Sequence, residues 1–211
     1  MTENRLDGTV VIVDDDDGIR DSLATLMSAA GFSIRCHESG EAMLACEPPD
    51  GPACILLDLR MPGASGIEIQ RRLGTRGYDM PVIFLTGYAE VHAAVDALKA
   101  GATDFIVKSE FKPSVLIAQI RDCFGRHADA IERKREEARL RKRLYLLTKR
   151  ELQVAGLAAG GITNHVIGTE LDISERTVEI HRGRAMRKLE LRTAADLVRL
   201  HDDLQEYSTK H

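Results

Sequence analysis

No stretch of the 211-residue chain approaches the ~20 consecutive apolar residues that a membrane-spanning helix needs. Its first residues, Met1 to Val10, lack the basic-then-apolar layout of a secretory signal. A cytoplasmic protein without membrane attachment is expected. Cysteine is scarce: Cys36, Cys46, Cys54 and Cys123 form no Cys-x-x-Cys pair and have no histidine near them at zinc-finger spacing. That excludes a disulfide scaffold and a zinc knuckle, and leaves reduced, partly buried thiols. Charge of one sign is also missing, since the net charge is -4 and the pI about 6.0. Any nucleic-acid contact must therefore come from a local patch. What is present is an ordinary globular balance, 44% hydrophobic and 29% charged, over a length that suits two small domains.

The first half alternates short apolar runs with helical patterns. Thr9 to Val13, Phe32 to Cys36, Ala53 to Leu57, Pro81 to Leu85 and Asp104 to Val107 read as strands. Between and after them, helices are predicted over Gly18 to Ala30, Glu41 to Ala45, a stretch that follows the loop Met61-Pro62-Gly63 and runs through Leu73, Val91 to Ala100 (closed by Gly101), and Ser114 to Phe124. Five βα units with continuous apolar strands imply a parallel sheet covered on both faces. Ligands of such sheets sit beyond the carboxyl ends of the strands. Asp14, Asp15, Asp58, Thr86 and Lys108 all fall there.

Residues 126 to 146 are charge-dense, with sparse apolar positions at Ile131, Ala138 and Leu144. They read as an exposed linker helix: a solvated spacer first, with a coiled-coil seam or a basic arm as the functional alternative. From Leu147 the pattern is wholly helical. Thr148 and Glu151 have capping-box spacing. A helix to Ala159 stops at Gly160-Gly161, Thr163 is expected to cap a second helix from Asn164 to Leu171, and Ser174 a third from Glu175 to Leu189. A fourth starts at Thr193. The second and third, joined by a tight turn, have helix-turn-helix layout.

Close carboxylates repel, and a divalent cation offsets that repulsion. Hard oxygen donors without histidine or thiolate favour magnesium or manganese. A carboxylate can also attack phosphorus and become an acyl phosphate. Lys108 would supply charge, and Thr86 a hydroxyl, to the oxygens of the transferred group. In the second half, placing Val178 at the centre of the buried face of the third helix brings Ala185 and Leu189 to that face. Arg176, Ile180, Gly183, Arg184 and Arg187 then fall on or near the opposite one, and His181 toward the apolar side, where packing is its expected role. A basic face on the second helix of a helix-turn-helix favours DNA. Arginines there would read guanine edges or clamp phosphates, and Lys188 would meet phosphate.

Val13-Asp14-Asp15-Asp16, Leu57-Asp58-Leu59-Arg60-Met61-Pro62-Gly63, Phe84-Leu85-Thr86-Gly87 and Asp104-Phe105-Ile106-Val107-Lys108 resemble the receiver domain of two-component response regulators, over residues 8 to about 125. The resemblance implies a flavodoxin-like five-stranded parallel, doubly wound domain. It implies Asp58 as phosphoacceptor, with Mg2+ held by Asp15, Asp58 and the backbone carbonyl of Arg60, and by Asp14 through water. Thr86 and Phe105 would be the switch pair, and Arg60 and Tyr88 would tune loss of the phosphate. One departure stands out. Receivers usually follow the lysine with proline in a cis bond, whereas Lys108 is followed by Ser109. A cis bond there would cost ~3 kcal/mol, so a trans bond is expected.

The segment with Thr148, Glu151, Thr163-Asn164, Ser174, Thr177-Val178-Glu179, His181-Arg182 and Lys188-Leu189 resembles the LuxR-type helix-turn-helix, nearest the FixJ branch of the FixJ/NarL family. That implies an all-α four-helix domain with Arg176, Thr177, Ile180, Gly183, Arg184, Arg187 and Lys188 at the DNA. Many members have Lys-Glu-Ile-Ala where this chain has His165-Val166-Ile167-Gly168. Val166 removes a second capping box.

The expected organisation is a receiver over residues 1–125, a charged helical linker over 126–146 and a DNA-binding domain over 147–211. The expected function is a transcription regulator, switched by phosphorylation of Asp58 from a sensor histidine kinase. Its homodimer would bind DNA and engage RNA polymerase, activating transcription, with no enzymatic turnover beyond the receiver's own phosphoryl chemistry. One competing class is an aspartyl-nucleophile phosphatase, but Arg60 stands where those enzymes carry their second acid. A receiver frozen in one state is the other, which the full set Asp14, Asp15, Asp58, Thr86 and Lys108 opposes.

Overall fold

The computed structural model describes residues 8–87 and 103–210. The predicted helix over Val91 to Ala100, its closing Gly101, and Tyr88 lie outside the described residues. The chain divides into two compact units, Met1–Arg133 and Lys134–His211.

In the first unit, β1 (Thr9–Val13), β2 (Ser33–His37), β3 (Ala53–Asp58), β4 (Val82–Thr86) and β5 (Asp104–Val107) form one sheet in the order β2-β1-β3-β4-β5, every pair parallel. The alternation of side chains along a strand explains why β1 and β3 are apolar throughout. Val10, Ile12, Cys54 and Leu56 enter a core with Leu23, Leu116 and Ile120. Val11, Val13, Ile55 and Leu57 enter another with Ile69 and Leu73. Each face is covered by helices: α1 (Asp17–Ala29), α2 (Gly40–Leu44), α3 (Gly66–Thr75) and the first half of α4 (Pro113–Tyr145). Asp16, Ser39 and Ser65 cap the first three, accepting from the amides of Ile19, Ala42 and Glu68.

The sequence suggested a fifth receiver helix ending at Phe124 and a separate linker helix. The structure has one 33-residue helix, α4, through both. Gly125 alone does not stop it: no proline follows and no capping residue competes for its amides. Nor is all of the linker a solvated spacer. His127 is buried, and its Nδ1 accepts from the Ala53 amide at 2.8 Å.

The second unit packs the end of α4 with α5 (Lys149–Ala159), α6 (Asn164–Leu171), α7 (Glu175–Lys188), α8 (Ala194–Arg199) and α9 (His201–Lys210). Its core gathers Leu144, Val154, Ala155, Ile167, Val178, Ala185, Leu189, Leu197 and Leu204. Thr148 and Glu151 form the capping box that opens α5, and Thr193 and Asp196 another that opens α8. The expected fourth helix is two, parted at Leu200. Thr163 stands at the N-cap of α6 but makes no side-chain cap hydrogen bond. Val166, three residues on, has no carboxylate to complete a reciprocal cap. Between α6 and α7, Asp172 adopts φ 51°, and a Cβ on Gly168 would lie 2.7 Å from the Ile173 carbonyl oxygen. Glycine at 168 is what lets the turn fold back this closely.

Candidate functional site

At the carboxyl edge of the sheet, four parallel strands end beside one another and bring their terminal residues together. Asp14 and Asp15 follow β1, Asp58 ends β3, Thr86 ends β4 and Lys108 follows β5. Carboxylate oxygens of Asp14, Asp15 and Asp58 lie within 4.8 Å of one another. Asp14 and Asp58 are buried and Asp15 is exposed, so the cluster opens to solvent on one side. Lys108 Nζ bridges the buried pair, 2.8 Å from Asp14 Oδ2 and 3.0 Å from Asp58 Oδ2. The fold fixes each partner by its backbone. The Lys108 amide donates to the Thr86 carbonyl at 2.9 Å, and Asp14 Oδ1 accepts from the Asp16 amide at 3.0 Å. Arg20 donates to the Asp14 carbonyl at 2.7 Å. A Cβ on Gly66 would stand 2.4 Å from the Asp58 carbonyl oxygen, so glycine lets α3 start directly against the end of β3.

Burial pushes the Asp58 carboxyl above its ordinary value, and Lys108 opposes that push without cancelling it. For Lys108, burial alone would lower the ammonium's affinity for its proton. Asp14 and Asp58 outweigh burial, and the net direction is up. Lys108 is therefore a held positive charge. The Arg60 amide also donates to the Asp58 carboxylate. Thr86 is buried at the pocket's edge, its hydroxyl donating to the Gly87 carbonyl at 3.1 Å. Phe105, paired with Phe84 across the sheet, is half-buried against the core on the α3 side. The Lys108–Ser109 bond is trans, as is every other described peptide bond. An all-oxygen donor set with an open side fits a hard divalent cation that keeps part of its water shell.

In the second unit Val178, Ala185 and Leu189 are fully buried, and Arg176, Ile180, Gly183, Arg184 and Arg187 are exposed together on α7. Ser174 caps the helix, accepting from the Thr177 amide at 3.1 Å, and the two hydroxyls lie 2.7 Å apart. Thr177 is thus part of the cap. Arg176 donates to Glu179 at 3.0 Å. Arg182 donates to Asn164 at 3.3 Å and ties α7 to α6. His181 is half-buried, and its Nδ1 has no hydrogen-bond partner among the described residues.

Lys188, expected at phosphate, also pairs within its own domain. Its ammonium stands 2.6 Å from Oε2 of the buried Glu151 and 3.0 Å from the Leu146 carbonyl. These contacts tie α7 to α5, and a phosphate contact would compete with a buried carboxylate. Sequence reasoning missed this pair because its partners lie on different helices. It also missed His127, although Leu116, Ile120, Cys123 and His127 continue one helical stripe that was legible. No described helix is long and apolar enough to cross a membrane.

Two family models match the chain: the response regulator receiver domain over residues 10–121, and bacterial regulatory proteins of the luxR family over residues 145–201. The chain is similar to the transcriptional regulatory protein FixJ of Rhizobium meliloti (strain 1021), 42% identical over 92% of this chain and 95% of the other. Among solved structures it resembles the response regulator StyR, with TM-score 0.83 and 35% identity over 93% of this chain and 99% of that one. It also resembles full-length FixJ from B. japonicum, with TM-score 0.57 and 33% identity over 94% and 98%.

Proposed function

This chain belongs to the two-component response regulators that join a receiver domain to a LuxR-type DNA-binding domain, and within that family we propose that Asp58 is the phosphoacceptor whose modification controls DNA binding. One observation carries the reading: a lysine ammonium bridges Asp14 and the phosphoacceptor candidate at 2.8 and 3.0 Å, at the ends of adjacent parallel strands.

Asp58 attacks the phosphorus of a phosphohistidine on a sensor histidine kinase. The new P–O bond forms as the P–N bond breaks, and the electron pair leaves with the imidazole. Mg2+ (or Mn2+) held by Asp15, Asp58, the Arg60 carbonyl and, through water, Asp14 would neutralise charge on the phosphoryl oxygens. Lys108 exchanges part of its pairing with Asp58 for a phosphoryl oxygen, and its trans bond to Ser109 leaves its backbone held by Thr86. Thr86 turns its hydroxyl from Gly87 toward the phosphoryl group, and Phe105 moves into the space released. The surface so changed favours a homodimer, which pairs two copies of α7 on one DNA site. Arg176, Thr177, Ile180, Gly183, Arg184 and Arg187 meet the duplex, Ser174 caps the helix that presents them, and the bound dimer activates transcription through RNA polymerase. The protein works in the cytoplasm, as a regulator and not a turnover enzyme. The functional divisions are the receiver over 1–125, the linker part of α4 with its exit over 126–146, and the DNA-binding domain over 147–211.

The test is intact mass after incubation with Mg2+ and a small acyl-phosphate donor, wild type beside Asp58→Asn. One added phosphoryl group on the wild type alone supports the assignment. Equal phosphorylation of the variant overturns it.

A further inference from the structure

Gly183 has no reason inside its own domain to be glycine. It lies within α7, and it is not among the glycines with positive φ. A Cβ built on it meets nothing within 4 Å. Gly168 is the contrast, since a side chain there would strike the Ile173 carbonyl. Glycine is the poorest helix former after proline, so a bare position in mid-helix weakens α7 and returns nothing to the fold. Gly74 and Gly125 are equally bare within their helices, and what sets Gly183 apart is its place on the exposed basic face of α7.

The neighbours say what kind of group that face would meet. Ile180 precedes Gly183 by three residues, shares its face, and is 43% exposed. Arg176 stands one turn before Ile180, and Arg187 one turn after Gly183. The face is basic at both ends, and apolar and bare in the middle. In the major groove of B-DNA the only apolar group on a base edge is the C5 methyl of thymine. The flanking arginines suit phosphates or guanines.

We propose that Ile180 and Gly183 together form an apolar step that receives a thymine methyl, with the missing side chain at 183 setting how deeply α7 enters the groove. This rests on the DNA-binding reading above.

The test uses the full chain, treated with Mg2+ and an acyl-phosphate donor, and a duplex selected from a random-sequence pool by the wild type. Each thymine of that duplex is replaced in turn by deoxyuridine, which removes only the methyl. At one thymine per half-site, wild-type affinity should fall about fourfold. Gly183→Leu should bind the thymine duplex about tenfold more weakly and respond to deoxyuridine less than twofold. Gly183→Ala is the companion variant. It should retain or raise hydrogen-exchange protection of α7 while losing affinity, which separates poorer docking on DNA from damage to the fold. Two results overturn the step: no thymine sensitive to demethylation, or Gly183→Leu binding as the wild type does. If Arg184→Ala/Arg187→Ala still weakens binding in that case, the DNA face stands and only the step falls. If the wild type enriches no duplex, the DNA-binding reading fails and takes the step with it.

Discussion

Lys108 holds together two buried carboxylates that would otherwise repel. Its ammonium lies within 3.0 Å of both Asp14 and Asp58, and their charges outweigh the burial that would strip its proton. Replacing it by glutamine leaves the pair uncompensated, a cost of about 1–3 kcal/mol to the first unit. A divalent cation in the Asp14–Asp15–Asp58 cluster can do the same electrostatic work. Thermal unfolding of Lys108→Gln in a chelator should therefore start well below wild type, and added Mg2+ should raise its midpoint more than it raises the wild type's. No Mg2+ response in either protein would mean that the cluster is not a metal site. Phosphorylation of the variant by an acyl-phosphate donor should slow by about 100-fold, read as the rate of the mass shift.

These pocket residues were legible in the sequence because a parallel sheet collects its strand ends at one edge. Finding the apolar runs was enough to find Asp14, Asp58, Thr86 and Lys108. The role of Lys188 was not legible. A helical wheel shows which way a residue faces on its own helix, and nothing of the buried carboxylate that α5 brings to it.

At the scale of elements, α4 and α5 each carry a polar bond that holds them in place. His127 on α4 accepts the amide of Ala53, the first residue of β3, in a buried setting. His127→Leu leaves that amide buried without an acceptor, at about 1–3 kcal/mol. The urea midpoint of the first unit should drop, and exchange of the Ala53 amide should rise more than that of amides in β1. A uniform rise across the sheet would assign His127 to general packing instead. On α5, burial alone would raise the Glu151 carboxyl, but Lys188 and Thr148 win and hold it below its ordinary value. A carboxyl with a depressed folded-state pKa contributes stability that is fully present above its unfolded value, ~4.3. That stability is lost as pH falls through the lower folded value. The wild-type second unit should therefore lose stability as pH drops below about 4. Glu151→Gln should be less stable at pH 7 by about 1–3 kcal/mol and show a flatter acid dependence. Parallel acid profiles for the two proteins would place the titrating group elsewhere. The length of α4 was the element least legible. Gly125 and the change in composition after it look like a boundary, yet a single helical glycine costs only about 1 kcal/mol and stops nothing.

For the molecule as a whole, the acidic pocket lies in one compact unit and the basic face of α7 in the other. Damage to each should then have its own signature. Arg184 and Arg187 lie on the exposed face of α7, remote in sequence from the acidic pocket. Converting both to alanine should leave the rate and extent of phosphorylation unchanged. It should also flatten the salt dependence of DNA affinity by about two in log–log slope, one for each phosphate no longer neutralised by an arginine. Asp58→Asn should do the reverse. It takes up no phosphoryl group, and its DNA binding at protein concentrations high enough to force pairing keeps the wild-type salt slope. What it loses is the shift of the binding curve to lower protein concentration that the acyl-phosphate donor produces in the wild type. Titrations of both variants over a range of salt, with and without donor, decide the matter. If the arginine variant keeps the wild-type slope, the basic face of α7 is not what meets the phosphates. If Asp58→Asn still responds to the donor, control does not run through Asp58, and the coupling between the units must begin at some other group.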